Sequence, residues 1–483
     1  MEFVNAQPQP DETVMDYSML GGAHAQRGRK LFLTALAILA ATLAYLAYNA
    51  NVNDILHLYL GLIMFILAAV PSLLWARSGG SRFPVFETIL ILTANAYAMP
   101  VLKGQEQLAN YSPDVVTRAC LTVILYQLSA IVTYVTVKGL PGRSRFWRES
   151  LITNQVEKFV VYGLITSTTY IWMSTFTSWV PRDLESILRA IFYGVGILCT
   201  FVSTQRWGRG ELSQAEKMVL LCTLIPQLIF MSVGLILIGA ISLIGIAFLG
   251  YLSGGKRIPW LVLGGTFALL ALLHTGKTQM RTKYWDQHLP PPTMGQLPAF
   301  YAEWVENGLA PTSGGKTVSQ KMLERTSLMH ILCLIVDYSP ARQDYLYGKT
   351  YTYVLPQLVP RLFWPDKPRS HVATYELSIY YGLQGEEDTS TTTIAFGLLT
   401  EAYANFGLFG ACLLGLFWGY WLKKLQIWST FSPMFSFAGL LMVLLTAWAF
   451  SAELTMAAWV SSLEQAVVVV LGVPMIIRSL FGL

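Results

Sequence analysis

The chain alternates long apolar blocks with short polar connections, and the blocks lack the period-two alternation of amphipathic strands. Blocks such as 31–50 and 431–452 approach the roughly 20 residues an α-helix needs to cross a bilayer core. Lipid leaves the backbone only helices or closed barrels, and continuous apolar runs select helices. About twelve spans are predicted, centred near Ala40, Phe65, Thr93, Leu125, Ser167, Val195, Gln227, Leu243, Thr266, Ala404, Met442 and Val467. The nearly charge-free stretch 218–252 is about twice one span, and a tight hairpin near 231–234 is expected to split it.

Composition agrees with this pattern. Hydrophobic residues make up 54% of the 483 residues and charged ones 13%, about half the roughly 25% usual in soluble domains. The net charge of +5 matters only through its placement. With the N-terminus inside, 18 Lys and Arg fall on the cytoplasmic side and 4 in short outer loops and helix ends, as the positive-inside rule demands. Without the hairpin split, Lys256, Arg257, Lys423 and Lys424 would all move outside. The basic residues lack an aromatic platform or groove-reading motif, so no nucleic acid partner is expected.

The expected fold is therefore an all-α polytopic membrane protein, with one large extracytoplasmic loop between spans nine and ten. Residues 1–30 form a cytoplasmic tail without signal-peptide features, and 31–275 hold the first nine helices. The loop covers 276–392, and 393–483 hold the last three helices. The loop carries eleven basic and eleven acidic residues, and is too long for an idle connection. Within it Leu323, Leu328, Ile331, Leu332, Ile335 and Val336 mark one face of a short packed or interfacial helix. Of five cysteines only Cys333 lies in the loop, so no internal disulfide is expected there.

Three clusters on the outer side carry candidate chemistry. In Gly276-Lys277-Thr278-Gln279-Met280-Arg281, Lys277 and Arg281 share a helical face, as a snorkelling pair or an anion contact. Gly348-Lys349-Thr350-Tyr351 precedes a proline-rich turn in which Arg361 and Lys367 are either aimed at an anion or paired with Asp366. In the third cluster Gly397, Glu401, Ala404 and Asn405 share one face of the tenth helix. A carboxylate there faces a polar cavity or bonds a neighbouring helix. That helix is predicted to begin near 391, placing Glu401 on the order of 15 Å deep at about 1.5 Å per residue. Asp54 and Glu453 are weaker acidic candidates, and no Walker loop, Rossmann glycine pattern or metal spacing is present.

In these motifs the chain resembles the Wzy family of oligosaccharide repeat-unit polymerases, which build O-antigen and exopolysaccharide. The resemblance rests on GKTQMR, on YGKTYTYVLPQLVPRLFWPDKP and on GLLTEAYANFGLFG, covering roughly 276–410. It implies a bacterial inner-membrane glycosyltransferase that moves a growing glycan from polyprenyl diphosphate to a hydroxyl of the next lipid-linked repeat. Glu401 would be the base, and Arg281 and Arg361 would act on the diphosphate. Lys277, Lys349, Tyr351, Trp364, Lys367, Tyr403 and Asn405 would bind substrate, without metal or other cofactor. Membrane lipids, and a chain-length regulator and flippase of the same pathway, are the implied partners. An O-antigen ligase shares the donor and topology, and a flippase of lipid-linked sugars is the rival outside the enzyme class.

Overall fold

The computed structural model describes residues 17–472 apart from 53, 80–82, 141–155, 181, 256–257, 288, 311–322, 324–325, 360–363, 365, 391–392, 431, 433–435, 452 and 469–471. Among these residues the chain is all-helical, without a strand. The first helices are α1 (Tyr17–Tyr48), α2 (Ile55–Arg77), α3 (Val85–Leu102) and α4 (Pro113–Thr136). There follow α5 (Val156–Phe176), α6 (Arg182–Arg209), α7 (Gln214–Ser232), α8 (Ile238–Ser253) and α9 (Trp260–Arg281). Three shorter helices come next: α10 (Leu297–Leu309), α11 (Met329–Tyr338) and α12 (Val372–Tyr380). The chain closes with α13 (Leu398–Ser429), α14 (Phe437–Trp448) and α15 (Met456–Val467). By length and composition, seven segments suit a membrane span, in α1, α2, α3, α4, α7, α9 and α13. The protein is a polytopic α-helical membrane protein.

Local sequence explains several helix starts. The Asp54 side chain accepts from the Leu56 N–H at 2.8 Å and caps α2, which gives this acid a structural task. Ser112 caps α4 just before Pro113, the position where a missing N–H costs least. Ser213 and Glu216 form a reciprocal capping box at α7. The 218–252 block breaks at 233–237, where Leu235 adopts a positive φ of 57°.

Packing sorts the helices into a main core and smaller ones. In the main core α13 lies along α4, with α2, α3, α11 and α12 around them. The contact of α13 with α4 depends on two small residues one turn apart. A Cβ at Gly415 would come 2.5 Å from the Tyr126 carbonyl, and one at Gly419 2.4 Å from that of Ala130. Without a hydrophobic drive in lipid, such close approach is what holds helices together. The loop stripe is buried: Ile331, Leu332, Ile335 and Val336 of α11 pack into this core. That helix starts at Met329, and residues 321–322 and 324–325 lie outside the described set. A second core joins α5, α6, α7 and α8 to α14 and α15. A third joins α9 to α10, where buried Trp304 donates from Nε1 to the Leu273 carbonyl at 2.6 Å.

Candidate functional site

Glu401 stands in the first turn of α13, because residues 393–397 carry no regular structure and Leu398 begins the helix. The helix starts later than the sequence suggests, so Glu401 lies one turn inside its end, not three. The cause is Gly397, whose φ of 77° and ψ of 156° no helix accepts. Its N–H donates to the Glu453 carbonyl at 3.0 Å, tying the start of α13 to the α14–α15 connection.

The Glu401 side chain is fully buried. Its Oε2 accepts from the N–H of Met456, the first residue of α15, at 2.6 Å. Its Oε1 makes no hydrogen bond of good geometry, although the Thr350 hydroxyl stands beside the carboxylate. The positive end of the α13 dipole also favours a negative charge here. One oxygen is thus positioned by the backbone while the other lies beside the Thr350 hydroxyl.

Asn405, also fully buried, joins this helix end to the loop. Its Oδ1 accepts from the Gly348 N–H at 2.9 Å, and its Nδ2 donates to the Thr350 hydroxyl and the Glu401 carbonyl, both at 2.8 Å. Directly after it the helix breaks, at Phe406 (φ −143°) and Gly407 (φ 60°). In lipid, carbonyls freed by such a break need new partners. Those of Ala404 and Asn405 accept from the Leu346 and Tyr347 N–H groups, each at 3.0 Å. Leu346 and Tyr347, which lead into the GKTY run, are therefore laid across the break, and residues 346–351 stand against the Glu401 site.

Tyr351 stacks on Phe406 with ring centroids 6.3 Å apart. Burial, and secondly the neighbouring Glu401 carboxylate, push its phenol well above the ordinary range. It is a neutral hydroxyl beside the acid. Tyr403 is buried edge-on to Tyr345, whereas the Trp364 ring is 42% exposed.

The basic residues are distributed differently. Lys349 forms an ion pair with Glu376 of α12. Lys367 is buried and donates from Nζ to the carbonyls of Gln357 at 3.1 Å and Val359 at 2.7 Å, holding the proline-rich turn together. Arg281 donates to the Leu235 carbonyl at 2.9 Å and lies 4.0 Å over the Trp285 ring, bracing α9 against the α7–α8 connection. Lys277 is buried one turn earlier on α9, which packs on α10. Arg361 lies outside the described residues. The Glu453 side chain is exposed, and its backbone carbonyl makes the contact with Gly397. The structure thus gathers Glu401, Asn405 and Tyr351 into one site, while Lys277 and Arg281 belong to another packing unit.

Thr350 and the Met456 N–H complete the site without having been marked by the sequence. Thr350 sat inside a highlighted motif, but a backbone donor 55 residues away leaves no local signal. Comparisons with known protein families, curated proteins and solved structures find no match to this chain.

Proposed function

We propose that the chain is a glycan polymerase of the bacterial inner membrane, joining polyprenyl-diphosphate-linked oligosaccharide repeat units at the outer face. The observation that carries this reading is Glu401: a buried carboxylate in the first turn of α13, with one oxygen anchored by a backbone N–H and the other beside the Thr350 hydroxyl. In the reaction an acceptor sugar hydroxyl gives its proton to Glu401 as its oxygen bonds to the anomeric carbon of the donor. The bond from that carbon to the diphosphate oxygen breaks, and the diphosphate leaves with the electron pair. A positioned base suits the acceptor, and fixed positive charge suits the leaving group. Lys349, Lys367 and Arg281 hold protein partners, so Arg361 takes the first contact with the diphosphate in this reading. Arginine's planar fork fits phosphate oxygens in pairs.

The same reading gives the chain twelve spans, the seven apolar segments being joined by α5, α6, α8, α14 and α15. Both termini are then cytoplasmic, and 276–392 faces outward. The break in α13 also favours a second reading, a transporter of lipid-linked sugars, since transporters bind substrate at interrupted helices. One preparation separates the two. The purified protein, reconstituted in vesicles with lipid-linked repeat units, builds a ladder of lengthened products if it polymerises. Translocation of the repeat units without any lengthened product would overturn the proposal and favour transport.

A further inference from the structure

Residues 94–98 of α3 form a wide π-helical turn, closed by the Met99 N–H donating to the Ala94 carbonyl five residues back. The cause lies in the sequence. Pro100 has no N–H, so the Ala96 carbonyl four residues earlier loses its partner within the helix. That carbonyl instead accepts from the N–H of Leu328, the residue that caps α11, at 3.0 Å. Turns of this kind are uncommon and recur at functional sites.

The wide turn carries Tyr97, whose side chain is buried in the main core. Its phenol stands within hydrogen-bonding reach of the Thr400 hydroxyl on α13, and Thr400 directly precedes Glu401. Threonines in membrane helices normally bond a carbonyl three or four residues back. Thr88 and Thr93 of α3 and Thr122 of α4 do so. Thr400 does not. The carbonyl of Gly397 accepts from the Glu401 N–H at 3.1 Å, and Phe396 lies before the helix begins. The Thr400 hydroxyl is fully buried, and a buried hydroxyl costs free energy unless it is paired. The Tyr97 phenol is therefore placed where a phenylalanine would leave that hydroxyl worse served. Its contact with Thr400 is not closely aligned without substrate, as is common in catalytic sites.

The other anchors of this turn come from the outer loop and from the chain leading into α15. Gly397 is held by the Glu453 carbonyl, Glu401 by the Met456 N–H, and Asn405 by Gly348 and Thr350. Tyr97 approaches from the bundle core. We propose that Tyr97 is a positioning residue: presented by the π-turn, its phenol fixes Thr400 and so sets the orientation of the Glu401 carboxylate. The consequence for catalysis rests on the reading of Glu401 as the base of a glycan polymerase.

Two readouts on the full-length purified protein in nanodiscs test this. In ladder formation Tyr97→Phe and Thr400→Val should each lower kcat about fivefold, the effect of one hydrogen bond, with KM for the lipid-linked donor within about twofold. The double variant should lose no more than either single one, and Thr400→Ser, which keeps the hydroxyl, should recover most of the rate. The second readout needs no activity. A hydrophobic carbodiimide modifies protonated carboxyls, and mass spectrometry follows the adduct on Glu401 at one fixed pH. Both single variants should accelerate it by the same factor of about five, without summing in the double variant. Glu87, buried near the start of α3, should keep its wild-type rate. Acceleration at both carboxyls would mean a general loosening of the fold and would overturn the proposal. So would a Glu401 rate within about twofold of wild type in both single variants. If Tyr97→Phe does not fold, Thr400→Val measured against Thr400→Ser decides by the same criteria. The predicted carbodiimide pattern in protein that builds no ladder would overturn the polymerase reading alone. Ladders lost in Glu401→Gln but unchanged in Tyr97→Phe and Thr400→Val would overturn the positioning role alone.

Discussion

Asn405 is the joint between the loop and the helix that carries the acid, and its removal is the most informative structural perturbation. Asn405→Ala deletes three hydrogen bonds of 2.8–2.9 Å, to Gly348, Thr350 and Glu401. The site is fully buried, so the Gly348 N–H and the Thr350 hydroxyl lose a partner that water does not replace. At about 1 kcal/mol net for each of the two bonds that reach the loop, and about 1 kcal/mol more for the groups left orphaned, the loop should be loosened by about 3 kcal/mol. That corresponds to roughly a hundredfold rise in the population of the opened loop. Limited proteolysis under native conditions reads this population when opening is fast relative to cleavage. Cleavage within 346–353 should therefore accelerate by about two orders of magnitude, with little change elsewhere. Asn405→Asp keeps the acceptor for Gly348 but loses the donor, and should fall between. If Asn405→Ala is cut at a rate within about threefold of wild type, the joint does not hold the loop as described.

Other outcomes follow from the same structure. His371, at the start of α12, is held below the ordinary imidazole range by burial. Its neutral form therefore stabilises the fold above the unfolded value near pH 6.5 and that contribution is lost as pH falls. Thermal unfolding should move to lower temperature on acidification from about pH 7.5 to 5.5, and His371→Gln should flatten the slope. An unchanged slope would remove this histidine from the pH response. Gly415→Val would place a Cβ 2.0 Å from the Ser129 hydroxyl and 2.5 Å from a backbone carbonyl, forcing α13 from α4. Size exclusion should show monodisperse protein reduced to about a tenth of wild type, and normal yield would contradict the close packing. Single cysteines at Ser18 and Leu483 should react only from the cytoplasmic side and one at Ser313 only from the outside. Reversed labelling of Ser313 would move the loop to the wrong side for this chemistry.

Most helices were legible because lipid imposes a simple requirement, about 20 apolar residues with the backbone paired internally. The hairpin between α7 and α8 could be located because charge placement reinforced hydropathy. The helical stripe of α11 was legible in the spacing of Ile331, Leu332, Ile335 and Val336, but spacing alone left it either packed or interfacial, and the structure shows it buried. The start of α13 was not legible, because Ile394, Ala395 and Phe396 continue the apolar run of the helix N-terminally and only the Gly397 φ of 77° stops it there. The three cations Lys349, Lys367 and Arg281 show the other limit. Their type and their place in the chain can be read from sequence, but their partners Glu376, the Gln357 and Val359 carbonyls, and Leu235 with Trp285 are tertiary. Thr400 teaches the same lesson in reverse: its residue type does not distinguish it from Thr88 and Thr122, which bond back to their own helices.

The central claim is that Glu401 accepts a proton during glycan transfer, and Glu401→Gln tests it most directly. Glutamine preserves the size, and its Oε1 still accepts from the Met456 N–H, so a residue that only ties helices together would be well replaced. It has no carboxylate to take the proton of an acceptor hydroxyl. Purified wild-type and Glu401→Gln proteins, at matched abundance and with equal binding of the lipid-linked donor, are incubated with repeat units and the products separated on a gel. The account predicts a ladder from wild type and a loss of about 100-fold or more from the variant, the usual contribution of a positioned base. Ladders of near-normal yield and length from Glu401→Gln would contradict it.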